Sequence, residues 1–152
     1  MRIAVGSDHA GFPLKAALAG WLQELGHEVT DLGAYSTDSV DYPLIGFDVA
    51  SRVARGEAER GVLVCGSGIG VSIAANRVAG ARAALVQEPL SARLAREHND
   101  ANVVCMGARL IGEEMAREIL KVFLGTPFEG GRHQRRIDQL DQRPLAVPSE
   151  ER

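Results

Sequence analysis

Cysteine, basic runs and long apolar runs are all scarce in this chain, and each scarcity removes a class of protein. Only two cysteines occur in 152 residues. Cys65 and Cys105 each sit at the end of an apolar run, so there is no disulfide framework of the kind that staples small secreted domains. No apolar stretch approaches the roughly 18 residues of a membrane span, and no signal peptide precedes the first apolar segment. The expectation is a reduced, cytoplasmic protein with no membrane partner. Lys and Arg number 17 against 20 Asp and Glu, a formal net charge of -3. Without a long basic run this gives no general attraction to nucleic acid, although a small anion could still find local arginines. A Gly-Lys-Ser/Thr triplet, an internal repeat and low-complexity tracts are also missing, which removes the Walker loop and repeat architectures.

What remains is an ordinary globular composition, 45% hydrophobic and 24% charged, long enough to bury one sizeable core. The most distinctive stretch runs from Arg60 to Arg77. Val62, Leu63 and Val64 form an apolar run too short for a helix. Gly66, Gly68 and Gly70 follow, and a helix is expected to begin at Val71 and reach Asn76. A glycine turn leading into a helix N-terminus aims backbone N–H groups and the positive end of a dipole at one point, which suits an anion. Cys65 and Ser67 stand at its mouth.

The rest of the chain repeats a strand-then-helix rhythm. Arg2 to Val5 read as a strand, and Ser7-Asp8-His9 as a polar loop. Leu14, Ala17, Leu18, Trp21, Leu22 and Leu25 recur at helical spacing before Gly26. Glu28 to Leu32 is a weaker strand, and 33–42 an irregular stretch read as an ordered functional loop. A helix opens at Pro43. Further strands are expected over Ala81 to Val86 and Val103 to Met106, and helices after Pro89, over Gly112 to Leu124 and over Arg132 to Leu140. The pattern predicts a three-layer α/β/α, Rossmann-like fold with a parallel five-stranded sheet. It forms one domain over residues 1–142, with 143–152 a loosely held tail. Ligands of such sheets bind beyond the carboxyl ends of the strands, where Asp8, His9, the glycine loop and Arg109 fall.

Several chemistries compete for these residues. The glycines run G-x-G-x-G because position 71 is Val, and the loop follows the third strand, so the dinucleotide fingerprint is not met, although Glu88 lies near the spacing of a ribose-binding acid. Cysteine at a strand end is commonly a small core residue. Beside a helix N-terminus and clustered donors, however, the Cys65 thiol can serve as nucleophile or base. Cys105 lacks such a loop and reads as core, and His27 reads as structural. His9 and His98 stand in polar contexts that suit either a surface histidine or a functional one. Asp8, His9, His98 and Asp100 show no compact metal-ligand spacing, and no metal is expected. Arg132 and Arg136, at i and i+4, form either a solvated face or a fork for phosphate.

The motifs Gly6-Ser7-Asp8-His9-Ala10-Gly11, Asp41-Tyr42-Pro43, Cys65 through Gly70 with Ala74-Ala75-Asn76, Arg96-Glu97-His98-Asn99 and Gly131 through Arg136 together resemble the ribose-5-phosphate isomerase B family. That family also includes galactose-6-phosphate and allose-6-phosphate isomerases. The resemblance spans nearly the whole chain. It implies aldose–ketose isomerisation of a sugar phosphate through an enediolate, with no metal or organic cofactor. It also implies a homodimer whose sites are shared between subunits, with further pairing into a tetramer left open. By similarity Cys65 is the base, Ser67 assists it, and the N–H groups of Gly66, Gly68, Ile69 and Gly70 hold the enediolate oxygen. His98 opens the sugar ring, Asp8 and Asn99 bind hydroxyls, and His9, Arg132 and Arg136 grip phosphate. Tyr42 lines the pocket, and Arg109 is directed at the phosphate or the neighbouring site. One branch of the family carries a glutamate base where this chain has Val71, so the sequence resembles the cysteine branch. Rival readings are an isomerase of a six-carbon aldose phosphate, a nucleotide-binding module without turnover, and a dependent subunit of a two-chain isomerase.

Overall fold

Side-chain alternation along the strands divides the interior into two faces, and the helices follow that division. A computed structural model describes residues 1–143; the tail expected from 143 onward therefore lies, apart from Arg143, outside the described residues. The elements are β1 (Arg2–Ser7), α1 (Phe12–Glu24), β2 (Glu28–Asp31), α2 (Tyr42–Ala54), β3 (Arg60–Cys65) and α3 (Ile69–Ala75). They continue with β4 (Ala83–Leu85), α4 (Pro89–Asn99), β5 (Val103–Gly107), α5 (Glu113–Gly125) and α6 (Arg132–Gln142). All strand pairs are parallel, in the order β2-β1-β3-β5-β4. This is the expected five-stranded parallel sheet between helical layers.

Period-two alternation sends Ile3, Val5, Val62, Val64, Val104 and Met106 to one face, where Leu18, Leu22, Ile119, Leu120 and Phe123 of α1 and α5 cover them. Ala4, Leu63, Cys65, Val103 and Cys105 face the other way, against Val49, Val53, Val71 and Ala75 of α2 and α3. Because both faces are buried, the three central strands read as unbroken apolar runs. The edge strand β4 is shorter than its apolar run, since only Ala83 to Leu85 pair with β5. Pro13, Pro43 and Pro89 sit in the first turns of α1, α2 and α4, where a missing N–H costs nothing. Among the described residues no helix is long and apolar enough to cross a membrane.

The segment that begins at Gly33 is irregular, as expected, but it ends at Asp41 because α2 already takes in Tyr42, and a buried cation pins its beginning. Lys15 is 1% exposed. Its ammonium donates to both carboxylate oxygens of Asp31 at 2.8 and 2.7 Å and to the Ala34 carbonyl at 2.6 Å. The Phe12 and Tyr35 rings lie 5.3 and 5.5 Å away. These contacts tie α1, β2 and the loop together beside the carboxyl end of β1. Lys15→Ala leaves Asp31 without its cation. The Asp31 side chain is 35% exposed and rehydrates in part, so the expected loss is about 2–3 kcal/mol, below that for breaking a fully buried pair. Urea unfolding should show a lower midpoint at an unchanged slope.

Candidate active site

At the carboxyl end of the sheet the chain leaves β1 towards α1 on one face and β3 towards α3 on the other. Such a switch point opens a crevice between neighbouring parallel strands. Here it is a cavity of about 560 Å³ holding Asp8, His9, Tyr42, Cys65, Gly66, Ser67, Ile69, Gly70 and Arg109, with Ala10, Ile73 and Leu110 completing the wall. Ala10 stands within the Gly6-Ser7-Asp8-His9-Ala10-Gly11 motif, whereas Ile73 and Leu110 were not singled out in the sequence. These two are apolar rim positions, which no local motif distinguishes from core.

Backbone contact shapes the glycine turn. Gly68 has φ +78° and is the N-cap of α3; a Cβ there would lie 2.6 Å from Leu85 Cδ1 and 2.8 Å from the Met106 carbonyl carbon. Gly107, at the end of β5, supports the turn from below, since its own Cβ would lie 2.6 Å from the Ser67 carbonyl group. With the turn held this close, α3 begins at Ile69, two residues before the expected start. The Gly68 N–H donates to Cys65 Sγ at 3.1 Å and the Ile69 N–H donates to Ser67 Oγ at 3.2 Å. A negative charge on the sulfur would therefore meet a backbone donor, and charge-assisted bonds of this kind are the stronger ones. Tyr42 closes on Gly70, whose Cβ would come within 2.7 Å of the ring, and Arg109 lies over Gly66. Asp8 accepts from the Gly11 N–H at 2.9 Å, and His9 Nδ1 accepts from the Val40 N–H at 3.3 Å.

The remaining candidates do not join this cavity. Helix α4 starts at Pro89, just beyond the carboxyl end of β4, and runs back for eleven residues to Asn99. At 1.5 Å per residue that is about 16 Å, which carries His98 and Asn99 to the opposite pole of the sheet. Helix α6 begins there too. The rings of His98 and His133 stack with centroids 4.5 Å apart at 16°, and the Glu129 N–H donates to the Glu97 carbonyl at 3.1 Å. Arg132 and Arg136 are exposed on the first turns of α6 and form no ion pair among the described residues. Buried His133 is held below the ordinary imidazole range, first by desolvation and then by the neighbouring His98 and Arg132. Its partnership with His98 was missed in the sequence because it joins residues 35 positions apart. The imagined metal set of Asp8, His9, His98 and Asp100 is not assembled, for two members lie at each pole, and Asp100 pairs with Arg96 and Arg82.

Glu88 is not a ribose acid in waiting. It caps α4, accepting from the Ser91 N–H at 2.8 Å, and the Ser91 hydroxyl and N–H hold its carboxyl below the usual range. Cys105 is fully buried, and desolvation pushes its thiol far above the usual range, as befits a core residue. Val71 is fully buried as well.

A thiol, a hydroxyl and a donor-lined glycine turn at the switch point of a parallel sheet define an α/β enzyme site for a small polar substrate. The family model described as Ribose/Galactose Isomerase matches residues 3–140. The chain is 48% identical over 139 residues to ribose-5-phosphate isomerase B of Escherichia coli, which covers 91% of this chain and 93% of that protein. The solved structure of ribose-5-phosphate isomerase B from Clostridium thermocellum superposes with a TM-score of 0.92 at 45% identity, covering 93% of this chain and 96% of that one. The corresponding Thermotoga maritima structure gives 0.91 at 51% identity, covering 93% and 97%. The chain belongs to the ribose/galactose isomerase family.

Because Gly68 combines a left-handed backbone with a close approach to Met106, Gly68→Ala should destabilise the fold by about 1–3 kcal/mol. Thermal melting would register this as a fall of several degrees.

Proposed function

We propose that the protein interconverts ribose 5-phosphate and ribulose 5-phosphate through an enediolate, with Cys65 as the base. We also infer that each site draws on two chains of a homodimer. The observation that carries the reading is the separation of the expected site into two halves. Cys65, Ser67 and the glycine turn occupy one pole, and His98, Asn99, Arg132 and Arg136 the other. A second copy presenting its α4–α6 pole to the first copy's crevice completes the set. Exposed apolar side chains around that crevice favour a covering partner: Tyr42, Ile69, Ile73 and Leu110 are 41, 50, 60 and 55% exposed.

On this reading the phosphate is held by His9 and Arg109 of one chain and Arg132 and Arg136 of the other. Arginine suits that task because its planar fork matches an oxyanion. His98 moves a proton between the ring oxygen and O1 to open the furanose, and Asp8 and Asn99 orient the hydroxyls. The Cys65 thiolate then removes the proton from C2, the electrons flow to the carbonyl oxygen, and the glycine-turn N–H groups meet the charge that develops there. The O2 hydroxyl passes its proton to O1, and return of the abstracted proton from Cys65 to C1 as O2 becomes the carbonyl oxygen gives the ketose; Ser67 assists beside the sulfur. Hydrogen moves within one molecule, so the step balances without an external oxidant or reductant. A free thiol as the working group suits a reducing cytoplasm.

Purified protein should turn over ribose 5-phosphate faster than six-carbon aldose phosphates. Cys65→Ala should reduce kcat about 10²–10⁴-fold, the usual worth of a general base, while a phosphate competitor binds as before. Near-normal turnover in that variant would remove Cys65 from the mechanism.

A further inference from the structure

The pole that carries His98 holds a second grouping, one that the isomerisation does not use as such. His98 comes from the last turn of α4, His133 from the first turn of α6, and Glu129 from the loop between α5 and α6. Gly130 and Gly131, with φ +65° and +56°, turn the chain there, and Glu129 Oε2 comes back to 3.6 Å from His133 Nε2. One ligand atom from each of the three residues lies within 4.8 Å of the others. His133 Nε2 is buried and has no hydrogen-bond partner among the described residues, although its side chain is only 8% exposed. A buried ring nitrogen left unpaired is costly and calls for a ligand.

We propose that His98, Glu129 and His133 form a binding site for a zinc-class divalent ion. Two imidazoles and one carboxylate are a donor set that favours zinc over magnesium or calcium, which prefer all-oxygen shells. Donors around a tetrahedral zinc stand about 3.3–3.6 Å apart, given bonds of about 2.0–2.2 Å. The Glu129 side chain is 52% exposed and free to close the difference. The ion occupies the imidazole of His98, so binding withdraws that group from proton transfer. This consequence, unlike the site itself, rests on the functional reading above.

The test is calorimetric titration of the full-length protein with zinc, paired with absorption spectra of its cobalt(II) form. One ion per chain is expected, with d–d bands and no thiolate-to-cobalt charge transfer. Glu129→Ala, a surface change, should weaken binding by more than about 100-fold, beyond the roughly 10–100-fold that losing a mere supporting contact costs. His133→Ala should weaken it likewise, and Cys65→Ala should leave it unchanged. Zinc should also inhibit turnover reversibly, with relief by a chelator and less inhibition in Glu129→Ala. Absence of binding, binding indifferent to Glu129, or a thiolate band would overturn the site. Binding that depends on Glu129 yet spares turnover would keep the site and remove His98 from the reaction.

Discussion

Parallel pairing is the constraint on which the rest of the molecule depends. With every strand running the same way, all five carboxyl ends emerge at one pole, and each helix must carry the chain back to the other before the next strand begins. Residues that follow a strand and residues that end a helix are therefore held a helix length apart. Cys65 and Asp8 belong to the first kind, His98 and Asn99 to the second. No side-chain motion spans that distance, so a chemistry needing both kinds requires a second chain.

Within the crevice, closeness of backbone does the positioning. The turn between β3 and α3 rests on the end of β5 without side chains intervening, because Gly68 and Gly107 offer none. That contact sets Cys65 Sγ under a backbone donor and brings Gly66, Ser67, Ile69 and Gly70 to the cavity wall. Lys15 acts at a distance as a tether, fixing the loop after β2 through Asp31 and Ala34. The stability of the fold and the geometry of the site thus share their parts.

Much of this was legible in sequence, for identifiable reasons. The central strands announce themselves as apolar runs because both sheet faces are covered, and α1 does so through its three- and four-residue spacing. The Cys65–Gly70 turn was legible because glycine at a left-handed position is a local requirement. Contacts set from a distance were not legible. The early start of α3 follows from Met106 and Gly107 beneath the turn, and the shortness of β4 from its position at an edge. Glu88 resembled a ligand-binding acid by spacing alone, whereas its own neighbour Ser91 occupies it as a helix cap. The stacking of His133 on His98 depends on the length of α5 and on two glycines after it, a sum of geometry that no motif encodes.

Subunit complementation tests directly whether the site is divided between two chains. Cys65→Ala and His98→Ala proteins, each inactive alone, are unfolded and refolded together so that subunits mix at random. If each site takes Cys65 from one chain and His98 from the other, half the dimers are mixed and each carries one intact site, restoring about one quarter of wild-type activity. A mixture no more active than its parents would contradict a divided site.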